Sequence, residues 1–283
     1  MPLDFSPYQA VLLDLDGTVY HEDHALPGAI ELIKRLQAEG RSFACLSNSS
    51  ASPLRVMSRL ELMGVDVDPN NIYTAAAAAC DYVIDAYGGG AKTLTSDTTE
   101  QARKPRVFNL ATESVDEMLT GLVDWVGESG APDDAAGGCD AIIVGAPSSA
   151  FATGERPRAA LQLARRGAAI IGVCADRVYP SPRGIEFGAG AMTWMLAYAA
   201  GVEPVFCGKP EKIFFHELCR RLNVDPAWCV LIGDNLEADV LGAKAVGMRT
   251  ILTLSGVSRE QDLTSTPAEY QPDLVIRDLT ALA

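Results

Sequence analysis

Asp14 and Asp16 stand two apart at the end of an apolar run, Val11-Leu-Leu-Asp-Leu-Asp-Gly17. Strand side chains two apart point the same way, and Gly17 lets the chain turn away. Carboxylates at the mouth of a buried strand need a partner, because burying an unpaired charge is costly. The partner would be a divalent metal, a lysine or a reacting substrate. Three later stretches carry related chemistry. Ser47-Asn48 offers a hydroxyl and an amide, Gly208-Lys209-Pro210 a compact positive charge, and Gly233-Asp234 with Asp239 two further carboxylates. Taken singly, each reads as an ordinary turn, helix start or solvated charge. As a set they contain no His or Cys, which favours a hard, oxygen-preferring ion, and Mg2+ is the one that accompanies phosphate. Ser47, Asn48 and Lys209 suit a phosphoryl group, and aspartate is a nucleophile that forms acyl-phosphates. Asp14 is the expected nucleophile. Asp16 is expected to protonate the leaving oxygen and then to activate water, since crowded carboxylates keep a proton among them.

The elements that must position these residues follow from periodicity. Ile30, Leu32, Ile33 and Leu36 have helical spacing between Pro27 and Gly40, which suit a first turn and a stop. Further helices are expected over 52–64, 74–87, 115–126, 156–166, 191–200, 211–222 and 237–246. Strands are expected over 42–47, 106–110, 140–145, 168–174, 203–207, 228–235 and 250–254, with an edge strand at 272–276. Alternating strands and helices are the grammar of a parallel sheet covered on both faces. Ligands bind such sheets at the carboxyl ends of the strands, and Asp14, Ser47, Lys209 and Asp234 are all expected there. The predicted fold is α/β, a doubly wound parallel-sheet core with a smaller α/β unit inserted. Gly88-Gly-Gly90 with polar Thr93–Pro105, and Tyr179–Gly184, mark its edges. They divide the chain into core 1–89, insertion 90–182 and core 183–283. Neither Gly88–Gly90 nor Gly188-Ala-Gly190 completes a dinucleotide fingerprint.

Over its 283 residues the chain carries a net charge of −14, which argues against nucleic acid or an anionic membrane as partner. No stretch approaches the roughly 18 apolar residues of a membrane span, so a cytoplasmic protein is expected. The seven cysteines are scattered singly, which leaves neither a disulfide framework nor a zinc site. His21 and His24 read as a solvated loop rather than as metal ligands.

Asp14-Leu-Asp-Gly-Thr18, Ser47-Asn48, Lys209-Pro210 and Gly233-Asp-Asn-Leu-Glu-Ala-Asp239 resemble the four motifs of the haloacid dehalogenase-like hydrolases, in order and across nearly the whole chain. Pro27-Gly-Ala29, Gly208-Lys-Pro210, Gly233-Asp-Asn235 and Leu254-Ser-Gly-Val257 resemble the NagD-like branch, with its 4-nitrophenylphosphatases and nucleotide monophosphatases. That branch carries a large cap between the second and third motifs. The resemblance implies a Mg2+-dependent phosphatase of small phosphorylated metabolites. It gives Mg2+ to the Asp14 and Asp234 carboxylates and the Asp16 main-chain carbonyl, with Asp239 orienting Lys209 or metal-bound water. It also implies substrate contacts in the cap at Asp176, Arg177 and Arg183, and by analogy a homo-oligomer. Asn48-Ser-Ser replaces the paired asparagines common in relatives. Gly145-Ala-Pro-Ser-Ser149 lacks the acid often found after that cap strand, and Thr93–Pro105 has no counterpart. These departures bear on specificity rather than on catalysis. Dehalogenation fits poorly with Asp16 and Asp234, and a mutase would carry an earlier cap. The competing class is a phosphometabolite-binding or regulatory protein with little turnover, against which intact Asp14 and Asp16 argue.

Overall fold

The computed structural model describes residues 3–88, 103–127, 138–146, 154–181 and 184–283. They form two compact units. One runs up to Ser47 and adds Pro53–Thr74 and Lys209–Ala283; the other comprises Asn48–Ser52 and Ala75–Gly208.

The first unit opens with β1 (Ala10–Asp14), buried along its whole length, as a strand covered on both faces must be. In α1 (Ala29–Ala38), Ala29, Leu32, Ile33 and Leu36 make the buried face. Gly28 enters that helix at φ +82, and a Cβ there would stand 2.3 Å from the Thr280 main-chain nitrogen, so no other residue fits. β2 (Ser42–Ser47), α2 (Pro53–Leu62) and β3 (Ile72–Thr74) follow.

The second unit contains α3 (Ala75–Tyr87), β4 (Arg106–Leu110), α4 (Glu113–Leu119), β5 (Asp124–Trp125), β6 (Ala141–Val144), α5 (Arg156–Ala164) and β7 (Ala169–Gly172). A hairpin of β8 (Val178–Ser181) and β9 (Gly184–Phe187) then leads to α6 (Ala189–Ala200) and β10 (Val205–Phe206). Its parallel sheet has the order β10-β7-β6-β4-β5. Phe108, Leu110, Ile142, Val144 and Ile170 from that sheet share a core with Leu163 of α5 and Leu196 of α6. The helix expected over 115–126 ends early: α4 stops at Leu119, Gly121 follows at φ +78, and the chain resumes as edge strand β5. The stretch expected as a break at Tyr179–Gly184 is spanned by the β8–β9 hairpin. The inserted segment 90–182 lies within this unit, which extends to Ala75 on one side and Gly208 on the other.

The chain returns to the first unit with α7 (Lys212–Leu222), β11 (Cys229–Gly233), β12 (Arg249–Thr253) and β13 (Leu274–Ile276). The six strands are all parallel in the order β13-β12-β11-β1-β2-β3. β1 is therefore central, with Leu13 beside Ile232 and Asp14 beside Leu46. That register brings Asp14, Ser47 and Asp234 to one edge of the sheet. Lys209 arrives differently. It follows β10, a strand of the other sheet, and enters the first unit just before α7 rather than capping a core strand. Among the described residues no helix is long and apolar enough to cross a membrane.

Candidate active site

Asp14, Lys209, Asp234 and Asp239 converge inside the first unit, none more than 5% exposed. Lys209 Nζ donates to Asp14 Oδ1 and, at 2.7 Å, to Asp239 Oδ1. Carboxylate oxygens of Asp14, Asp234 and Asp239 all lie within 4.8 Å of one another. Asp14 and Asp234 are placed by adjacent parallel strands. Asp239 is placed by a wide helical turn over Leu236–Leu241, in which the Val240 N–H reaches the Asn235 carbonyl five residues back at 3.2 Å. The Asn235 side chain caps this turn, accepting from the N–H groups of Glu237 at 2.9 Å and Ala238 at 3.0 Å. The expected helix over 237–246 thus begins as a looser turn, a form concentrated at functional sites.

Backbone finishes the arrangement. The Val257 N–H donates to Asp234 Oδ2 at 2.5 Å, and the Asn235 N–H to Asp239 Oδ2 at 3.1 Å. Glycines make room for the acids. A Cβ at Gly256 would lie 2.0 Å from Asp234 Oδ2, one at Gly17 2.5 Å from the same atom, and one at Gly233 2.4 Å from Asp239 Oδ2. Gly17 also sits at φ +86, so its role includes the sharp exit from β1.

The electrostatics are unbalanced. Three carboxylates face one ammonium, so full ionisation leaves two negative charges in a buried space. Burial pushes the Asp14 carboxyl up to about 6, and the charge of Asp234 adds to the rise that Lys209 opposes. Asp239 is likewise pushed up to about 6 by burial and by Asp14. Asp234 is raised, chiefly by burial, against the pull of the Val257 N–H. Burial works to lower the Lys209 ammonium, but Asp14 and Asp239 outweigh it and hold that ammonium above its usual range. An all-oxygen cluster with a surplus of two negative charges fits a hard divalent cation.

The other expected residues are distributed as follows. Ser47 is buried at the end of β2, beside β1. Asp16 is exposed, two residues beyond Asp14, in a tight turn where the Gly17 N–H donates to the Tyr20 carbonyl at 2.7 Å. Asn48 groups with the second unit, where its amide approaches Asp176 Oδ1 at 3.4 Å and the Cys174 thiol approaches Asp176 Oδ2 at 3.2 Å. Arg177 is exposed in the same unit, and Arg183 lies outside the described residues. His21 and His24 are exposed and pair across a two-residue ladder. The acid-cradling roles of Gly233 and Gly256, the Val257 N–H and the Asn235 cap are not evident from residue type. Their signal is position, since each lies within a few residues of the end of β11 or β12.

Comparison with known proteins agrees with this arrangement. A family model described as haloacid dehalogenase-like hydrolase matches residues 11–121, and a second, HAD-hydrolase-like, matches 206–282. An acid sugar phosphatase of Staphylococcus aureus is 30% identical over 259 residues, covering 90% of each chain. The chain belongs to the haloacid dehalogenase-like hydrolases. A 5'-nucleotidase of Bacillus subtilis is 26% identical over 91% of both chains. The solved 4-nitrophenylphosphatase of Thermotoga maritima superposes with TM-score 0.81 at 25% identity, covering 99% of this chain and 98% of that one. This hydrolase is a phosphatase of the NagD-like branch, with a parallel-sheet core and a cap inserted between the second and third motifs.

Proposed function

We propose that this phosphatase hydrolyses small phosphomonoesters with Mg2+ through an aspartyl-phosphate on Asp14. The observation that carries the reading is the buried group of Asp14, Asp234 and Asp239 gathered round Lys209. An Asp14 carboxylate oxygen attacks phosphorus; the bond from phosphorus to the ester oxygen breaks, and Asp16 gives that oxygen a proton. Water then attacks the phosphorus of the acyl-phosphate while Asp16 takes the water's proton, releasing inorganic phosphate and restoring Asp14. Lys209, Ser47 and Asn48 hold the phosphoryl oxygens. Asp239, 2.7 Å from the Lys209 ammonium, keeps that ammonium aimed. The Asp14 and Asp234 carboxylates and the Asp16 main-chain carbonyl would hold Mg2+, which when bound offsets the negative charge of carboxylates and phosphate. Phosphoryl transfer asks the protein mainly for positioning and charge neutralisation, which these residue types provide.

The second unit, through Asp176 and Arg177 and with Arg183, is proposed to select the alcohol part of the substrate. The relatives' names include nucleotide and sugar phosphatases, which supports small phosphorylated metabolites as the class. The test is release of inorganic phosphate from 4-nitrophenyl phosphate with and without a chelator. Asp14→Asn and metal removal should each abolish turnover, and hydrolysis that continues without metal would overturn the reading.

A further inference from the structure

Asp14 sits on a strand, but Asp16 sits on a loop. That loop is closed at its base by the Tyr20 N–H on the Leu15 carbonyl at 3.0 Å and the Gly17 N–H on the Tyr20 carbonyl at 2.7 Å, and Asp16 bridges to Tyr20. Beyond Tyr20 the chain makes only a short ladder, Tyr20 with Ala25 and His21 with His24, before the Leu26 N–H returns to the Val19 carbonyl at 2.9 Å. A ladder this short has little stability of its own. A side chain that must meet a reacting oxygen has to be held within about 0.5 Å of its productive place. Val19 and Tyr20 are buried, but Glu22 and Asp23 at the tip are exposed, so the tip needs an outside support.

Helix α2 supplies it through Arg59, in its last turn. The Arg59 guanidinium lies over the Tyr20 ring, 4.7 Å from its centre. Nη2 donates to the Glu22 carbonyl at 2.7 Å and stands 3.6 Å from the Asp23 carboxylate, while Nη1 donates at 3.4 Å to the Tyr20 hydroxyl oxygen. One side chain therefore ties the base of the loop to its tip. Glu22 has φ +50, a conformation that a residue with a side chain keeps only where its surroundings impose it, and its carbonyl is the one Arg59 holds. The ion pair with Asp23 is solvated and contributes little. The stack and the carbonyl contact carry the hold, and a flat guanidinium makes both at once where an ammonium would not.

We propose that Arg59 is a positioning residue for the phosphatase reaction, fixing the loop of residues 15–25 so that the Asp16 carboxyl meets the leaving oxygen of the substrate. The inference rests on the reading of Asp16 as the acid that protonates that oxygen. Arg59 acts through Tyr20 and Glu22, not on the substrate.

Phenyl phosphate and 4-nitrophenyl phosphate test this, because they are similar in shape but phenolate is the more basic leaving group and depends more on a proton donor. The readout is kcat/KM, which reports the steps up to departure of that group. Asp16→Asn should lower it about tenfold more for phenyl phosphate than for 4-nitrophenyl phosphate, and Arg59→Met about threefold or more in the same direction. The Arg59 side chain is 47% exposed, so its loss should spare the fold; should Arg59→Met fail to fold, Arg59→Gln carries the same test. If Asp16→Asn discriminates between the esters while the Arg59 variant lowers both equally, or neither, the proposal is overturned and the reading of Asp16 stands. If Asp16→Asn does not discriminate, Asp16 is not the acid, and the positioning role falls with it.

Discussion

Lys209 is 3% exposed and bonded to two carboxylates, so its charge is what makes their proximity tolerable. Lys209→Met should therefore do more than weaken phosphate binding. Removing one partner from a buried charged group destabilises by about 3–5 kcal/mol, so the metal-free thermal midpoint should fall steeply along with kcat. An unchanged midpoint would mean that the acids are solvated. The same surplus of negative charge gives a pH signature. In the fold, Asp14 and Asp239 take up protons near pH 6, against an ordinary value of 3.8. Between those values the folded chain keeps protons that the unfolded chain has lost. Their contribution to metal-free stability is thus complete below about 3.8 and fades as the pH rises through about 6. A bound cation competes with those protons, so Mg2+ should raise the thermal midpoint little near pH 5 and substantially near pH 7. Equal shifts at both would show that the Asp14 carboxyl does not hold the metal.

At the scale of elements, the acids depend on turns whose geometry leaves almost no slack. Gly256→Ala would put a Cβ 2.0 Å from Asp234 Oδ2, whose position the Val257 N–H also fixes. Overpacking of this kind destabilises by about 1–3 kcal/mol, and here it displaces a proposed metal ligand. Titration by calorimetry should find Mg2+ affinity at least about tenfold weaker, as when a ligand's support is lost; unaltered affinity would place the cation elsewhere. Asn235→Ala removes the cap of the turn carrying Asp239, which should cost about 1 kcal/mol in denaturant unfolding. A larger fall in kcat/KM than in stability would mark Asp239 as the part affected, and no fall in stability would show that the cap is idle. The strands that frame these turns were readable from sequence, because a doubly covered strand must be apolar throughout, as Ala10–Leu13 and Cys229–Gly233 are. The turns were harder to read. A wide turn over Leu236–Leu241 has the same residue pattern as an ordinary helix, and hydrogen bonding five residues back, as from Val240 to Asn235, is what distinguishes them. The early end of α4 was marked by Gly121, but Leu119, Val123 and Val126, all buried, keep helical spacing across that break.

Over the whole molecule, the proposed chemistry and the proposed selectivity fall to different parts of the chain, and the two were unequally legible. A parallel sheet collects strand ends on one edge, so the sequence alone groups Asp14, Ser47 and Asp234. Lys209 could be given a proposed role but not its route, because no local pattern says that the preceding strand belongs to another sheet. The extent of the second unit, Ala75–Gly208, rests on contacts between segments far apart in sequence, and composition shifts at prolines and glycines do not encode those. This division has a kinetic consequence. If Asp14 attacks every substrate, Asp14→Asn should lower kcat/KM for nucleotide, sugar, pyridoxal and glycolate phosphates alike, by more than about 10⁴-fold. Arg177 is different in kind. Its guanidinium is exposed in the second unit, and in so acidic a chain it is suited to a second anionic group on the substrate, which a planar fork of donors recognises well. Arg177→Ala should therefore raise KM for glycolate phosphate, with its carboxylate, by about tenfold or more, the scale of one lost charge-assisted hydrogen bond. A neutral sugar phosphate should be nearly unaffected, with kcat for both within about threefold of the parent. A loss shared equally by all four esters would place Arg177 with the phosphoryl group that they have in common. A loss in none would take this residue out of recognition and leave the choice of substrate to other parts of the cap.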